Sequence, residues 1–260
     1  MKKTLLPLAM IGMMSVAQAA VVVQPVPYEI DGEAFEGLLI YDDAITTPRP
    51  GLLMVPNWMG VNEQSAQKAA RAASDQYVVF MADMYGKGIR PSNAEEAKAA
   101  ATFVRSDRPL MRKRAQAALD VFKAQATQVA LDTRKLGAIG FCFGGGTVLE
   151  LARSGADLKG FVAFHGNLDT PNPEDALNIK APLLVLHGAD DPLVPQAQVD
   201  GFVAEMKAAN VDWQLVSYGG AVHSFTNPAA NVVGVNAYHP VAAARAFQAM
   251  RALFSETFAD

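Results

Sequence analysis

The 260-residue sequence predicts an α/β fold: a mostly parallel central sheet with helices on both faces and an N-terminal hairpin. Short unbroken apolar runs bounded by glycine or proline recur along the chain, and stretches with helical spacing separate them. No linker, repeat or low-complexity tract divides the series, so one domain is expected. With 51% hydrophobic and 18% charged residues, such a domain can bury roughly 70 to 75% of the surface its unfolded chain exposes.

The first element is an address. Met1, Lys2 and Lys3 precede an apolar run from Leu5 to Val16, and the small-x-small pattern Ala17-Gln18-Ala19 follows. This order predicts a secretory signal peptide over residues 1–19, leaving 20–260 as a single α/β domain. About 12 apolar residues are too few for the roughly 20 of a spanning helix, so no stable membrane insertion is expected after signal removal. Cleavage after Ala19 would leave 20 basic residues against 26 acidic ones, a net of −6. A periplasmic or secreted bacterial protein is the expectation. Without a positive excess to meet a phosphate backbone, nucleic acid is not expected as a partner.

Val21 to Tyr41 reads as a hairpin turning at Asp31-Gly32. Gly51 to Val55, between Pro50 and Pro56, has the pattern of a strand buried on both faces. The same pattern returns at Tyr77 to Met81, Leu136 to Phe141, Gly160 to Phe164, Pro182 to Leu186 and Trp213 to Tyr218. Between them lie helical stretches at Glu63–Ser74, Asn93–Val104, Pro109–Ala126, Thr147–Arg153, Gln196–Ala209 and Pro240–Thr257. Ser92 and Glu95 form a capping box for the second, and Pro109 stands near the first position of the third.

In an open parallel sheet, reactive groups gather beyond the carboxyl ends of the strands. Three groups stand there. Leu136 to Ile139 leads into Gly140-Phe141-Cys142-Phe143-Gly144-Gly145-Gly146, a nucleophile elbow with sulfur in place of oxygen. The turn requires glycine at 140 and 144, because a side chain at either would collide as helix folds back on strand. The amino end of that helix favours thiolate. His187 to Pro195 carries Asp190 and Asp191, and Asp191, with Pro192 rigidifying the turn behind it, is the better partner for a histidine ring. Gly219 to Phe225 carries His223. Cys142, Asp191 and His223 thus follow the order nucleophile, acid, base that the α/β-hydrolase topology requires. The loop Pro56-Asn57-Trp58-Met59-Gly60 is placed to give one oxyanion N–H from Trp58, and Phe143 gives the other. Asn57, Tyr85, His165 and Phe225 are candidate substrate-binding residues of the pocket wall.

Residues Gly140 to Gly146, Asp191-Pro192-x-Val194-Pro195 and Gly220 to Phe225 together resemble the dienelactone hydrolase family, α/β-hydrolases with a Cys-His-Asp triad. The resemblance runs from about Gly51 to the C-terminal helix. It implies Cys142 as nucleophile, Asp191 as acid, His223 as base, Trp58 and Phe143 as oxyanion donors, and a small-molecule ester or lactone as substrate, with no cofactor. Two positions depart from the family. Asn57 stands where members that open dienelactones carry a glutamate that helps to unmask the thiolate, and Asn227 stands where they hold the substrate carboxylate with an arginine. Both departures point towards a neutral ester or lactone.

Four rival readings are weaker. A binding protein of the same fold would protect against unfolding without turnover. A thiol redox protein would need a resolving partner, and Cys142 is the chain's one cysteine. The glycines at 140–146 lie past the middle of the chain, where a dinucleotide fingerprint would open the first strand–helix unit. His187 and Asp190 lack a further ligand pair at metal-binding spacing, so no metal is expected.

Overall fold

The computed structural model describes residues 21–73 and 76–259, so the expected signal peptide lies outside the described residues. The hairpin forms as β1 (Val21–Ile30) and β2 (Glu33–Asp42), turning at Asp31 and Gly32, both with positive φ. The remaining main strands are β3 (Arg49–Val55), β4 (Val78–Met81), β5 (Leu131–Phe141), β6 (Phe161–Phe164), β7 (Leu183–Gly188) and β8 (Trp213–Tyr218). They join in one sheet of order β1-β2-β4-β3-β5-β6-β7-β8. The β1–β2 and β2–β4 pairs are antiparallel and all others parallel.

The helices are α1 (Glu63–Ala73), α2 (Ala94–Ser106), α3 (Arg108–Ala124), α4 (Phe143–Arg153), α5 (Gln196–Ala208) and α6 (Pro240–Thr257). Strand alternation distributes the core between them. Leu53, Val55, Phe80 and Ala138 face α3, α4 and α5, whereas Leu52, Met54, Ile139 and Phe141 face α1 and α6. An ion network is buried inside the first layer: Arg153 of α4 meets Glu205 of α5 at 2.7 Å and Glu150 at 3.0 Å.

Three expectations need correction. Trp213–Tyr218 is not buried on both faces, because β8 is the sheet's edge and has one neighbouring strand. The cap of α2 lies one residue later than Ser92 and Glu95 suggested. Asn93 accepts the backbone N–H of Glu96 at 3.0 Å, while the Glu96 carboxylate accepts the Ser92 N–H at 2.8 Å. Helix α4 begins at Phe143 and not at Thr147, so three glycines that disfavour a helix on propensity lie in its first turn. The chain there has no slack: a Cβ on Gly140 would stand 2.0 Å from the Gly144 carbonyl oxygen, and one on Gly144 would stand 2.1 Å from that of Val55.

Candidate active site

The ends of β3, β5, β7 and β8 bring Trp58, Cys142, Asp191 and His223 to one place. Cys142 is the N-cap of α4 and holds φ 56° and ψ −118°, a conformation costly for a side-chain-bearing residue. Its thiol is hydrogen-bonded to the His223 ring, and the backbone N–H groups of Phe143 and Trp58 both point at the sulfur. On the other side of the ring, His223 Nδ1 donates to Asp191 Oδ2 at 2.8 Å. Asp191 is itself held, accepting the Leu193 N–H on Oδ1 at 2.8 Å. The two loops are laced together, since the N–H groups of Ala189 and Asp190 donate to the carbonyls of Tyr218 and Ala221, each at 3.0 Å.

This packing sets the charges. Burial pushes the Cys142 thiol up, but the hydrogen bond and charge of His223, with the Phe143 and Trp58 N–H groups, hold it below its ordinary value. Burial pulls His223 down, yet hydrogen bonds to Asp191 and Cys142 prevail and push it up to about 10. Each group therefore favours the charged form of the other.

The cleft over Cys142 has a volume of about 230 Å³. Trp58, Phe143 and His223 line it, as do Asn167 and Leu193, and α2 contributes Lys98, Ala101, Thr102 and Arg105. The α2 residues were missed from sequence, since α2 ends no strand and reaches the cleft only through tertiary packing. Arg105 pairs with Asp169 at 2.7 Å.

The four residues expected in the pocket wall lie behind it or beside it. Asn57 Oδ1 accepts the Met59 N–H at 3.0 Å and shapes the turn that aims Trp58. Tyr85 is buried and donates its hydroxyl to the Trp58 carbonyl at 2.8 Å, with its ring tilted against Phe143. His165, with φ 39°, sits under His223, their ring centroids 5.2 Å apart and edge-on. Its Nε2 meets the Thr226 hydroxyl at 2.8 Å, and burial, then the His223 and Lys68 charges, lower it well below the usual range. Phe225 is fully buried, edge-on to His165. Strand-end position located all four near the site but did not distinguish wall from support.

Among the described residues no group of three His, Cys, Asp or Glu side chains is arranged to hold a metal ion. Nor is any helix long and apolar enough to cross a membrane.

The dienelactone hydrolase family model matches residues 35–258. The chain belongs to the dienelactone hydrolase family. Membership makes it a dienelactone hydrolase-like hydrolase acting on small molecules. Among solved structures, m3DLH is 40% identical, with a TM-score of 0.84 over 92% of this chain and 99% of that one. The dienelactone hydrolase-like promiscuous phosphotriesterase P91, from metagenomic libraries, is 38% identical, with a TM-score of 0.83 and the same coverage. A relative in Escherichia coli (strain K12), provisionally named a carboxymethylenebutenolidase, is 26% identical over 80% of this chain and 78% of its own.

Proposed function

We propose that this dienelactone hydrolase relative cleaves neutral esters or lactones through a thioacyl intermediate on Cys142, with His223 as base and Asp191 as its orienting acid. The observation that carries the reading is the convergence on one sulfur of the His223 ring and two backbone N–H groups, with Asp191 on the ring's far nitrogen. A free thiol near its ordinary pKa is only a few per cent ionised at neutral pH, so lowering the Cys142 value raises the thiolate share without the glutamate that Asn57 replaces.

The thiolate attacks the carbonyl carbon, and the N–H groups of Trp58 and Phe143 receive the oxyanion. Each such donor contributes roughly 3 kcal/mol, by analogy with single-donor deletions. As the tetrahedral adduct collapses, His223 gives its proton to the departing alkoxide, leaving a thioester. His223 then takes a proton from water, whose oxygen attacks the thioester, and collapse releases the acid and restores the thiolate. Asp191 keeps the ring in the tautomer both steps need.

Neutrality rests on Asn57 and Asn227. Neither position carries the charged residue that serves an anionic lactone, and Arg105 of the cleft is already paired with Asp169. Lys98 is exposed on the cleft wall, so the comparison with an anionic substrate is a real test. We further propose export, with residues 1–19 removed and the mature protein acting in the periplasm or outside the cell.

The deciding experiment is a panel of neutral esters, neutral lactones and anionic lactones assayed on the mature protein and its Cys142→Ala variant. A neutral phosphotriester joins the panel because P91 is named for that activity. Neutral carboxylic substrates should be preferred and Cys142→Ala inactive. His223→Ala should match it, and Asp191→Asn should keep residual activity. Ligand-induced protection with no turnover of any substrate would instead assign a binding protein.

A further inference from the structure

A second cavity, of about 280 Å³, opens between α1 and α6. Lys68 and Arg71 of α1 and Arg251 of α6 line it, together with Thr226, Tyr238 and the first turns of α6, and no carboxylate does. Lys68 is the telling residue. It is 7% exposed, its Nζ lies 4.5 Å from the centroid of the Phe141 ring, and no carboxylate is among the charges that act on it. A buried ammonium without a carboxylate beside it is costly, and a ring face returns only part of that cost. Burial, opposed by the Cys142 charge and reinforced by that of Arg71, lowers Lys68 to about 8, which still leaves it mostly cationic at neutral pH.

Residues Pro240, Ala244, Phe247 and Arg251 form one stripe of α6 along the cavity, so the flank of the helix faces it and brings a guanidinium three turns on. The Tyr238 hydroxyl adds a donor.

We propose that this cavity is a binding site for a dianionic phosphoryl group, either inorganic phosphate or the head of a phosphomonoester. Three cations around one cavity match a dianion, whereas one carboxylate would leave most of that charge unanswered. The volume lies just below the usual range of ligand pockets, which suits a small group and not a whole cofactor. The site is distinct from the cleft over Cys142, although Thr226, bonded to His165, brings its wall close to His223.

The test is isothermal titration of the full mature protein in phosphate-free buffer with sodium phosphate, sodium glycerol 2-phosphate, sodium acetate and sodium chloride at matched ionic strength. Phosphate or glycerol phosphate should bind saturably at one site, and acetate and chloride should not. The stronger of the two phosphates distinguishes the free ion from a phosphomonoester. Lys68→Met should lose binding at least tenfold, and Arg251→Gln, an exposed substitution that leaves the core untouched, should weaken it several-fold. Binding is read by titration and not by turnover, which separates this site from the hydrolase reading. No saturable phosphate signal, an equal one from chloride, or unchanged binding in both cationic-site variants would overturn the proposal.

Discussion

The Tyr85 hydroxyl donates to the Trp58 carbonyl at 2.8 Å, and so a buried side chain from the loop after β4 holds the residue whose N–H is aimed at Cys142. Tyr85→Phe removes that bond without removing the ring that packs on Phe143. The carbonyl loses a partner and the loop gains freedom, a loss of about 1.4 kcal/mol. Steady-state kinetics on an activated ester should show kcat down about tenfold with KM little changed.

The Cys142–His223 pair sets the pH dependence. Because Cys142 is held below its ordinary value, the midpoint of its alkylation by iodoacetamide should lie at lower pH than that of a free thiol. His223→Ala should move the midpoint up towards the ordinary thiol value of about 8.5. At the other limb, His223 loses its proton near pH 10, so acyl transfer to the thiol should decline there for want of a proton donor while alkylation does not. A stopped-flow profile of both reactions across pH checks the two limbs.

The elbow has no room for a methyl group. In Gly140→Ala the new Cβ would stand 2.0 Å from the Gly144 carbonyl oxygen, a contact only backbone movement can relieve. Urea unfolding should show a loss of at least about 2 kcal/mol, and activity should fall with it because the moved turn carries Cys142.

The ion network between α4 and α5 bears on stability alone. Arg153→Met leaves Glu205 buried without its cation and Glu150 with Arg112 alone, which should cost about 3–5 kcal/mol in urea unfolding. The folded fraction should retain the parent's kcat, since none of the three residues lines the cleft.

Where residue chemistry and local pattern coincide, the sequence was legible. Apolar runs bounded by Pro50 and Pro56 marked β3, and the glycines flanking Cys142 marked a turn that no other residue fits. The order of Cys142, Asp191 and His223 placed each beyond a strand end. What remained hidden depends on neighbours distant in sequence. The run at Trp213–Tyr218 does not reveal that β8 is an edge. Ser92 and Asn93 are both able to cap, and only the packed helix selects Asn93. Tyr85, His165 and Phe225 follow strands as the reacting groups do, yet their side chains turn into the core beneath the cleft. Lys98 and Arg105 carry no local mark of the cleft that α2 helps to build.

The central claim is that Cys142 carries the acyl group during turnover. Acid-quenching the mature protein during hydrolysis of p-nitrophenyl acetate and weighing it by mass spectrometry tests that directly. One acetyl group on the peptide containing Cys142, and none on the Cys142→Ala protein, is the predicted result. Undiminished turnover by Cys142→Ala, with the parent protein remaining unmodified, would contradict it.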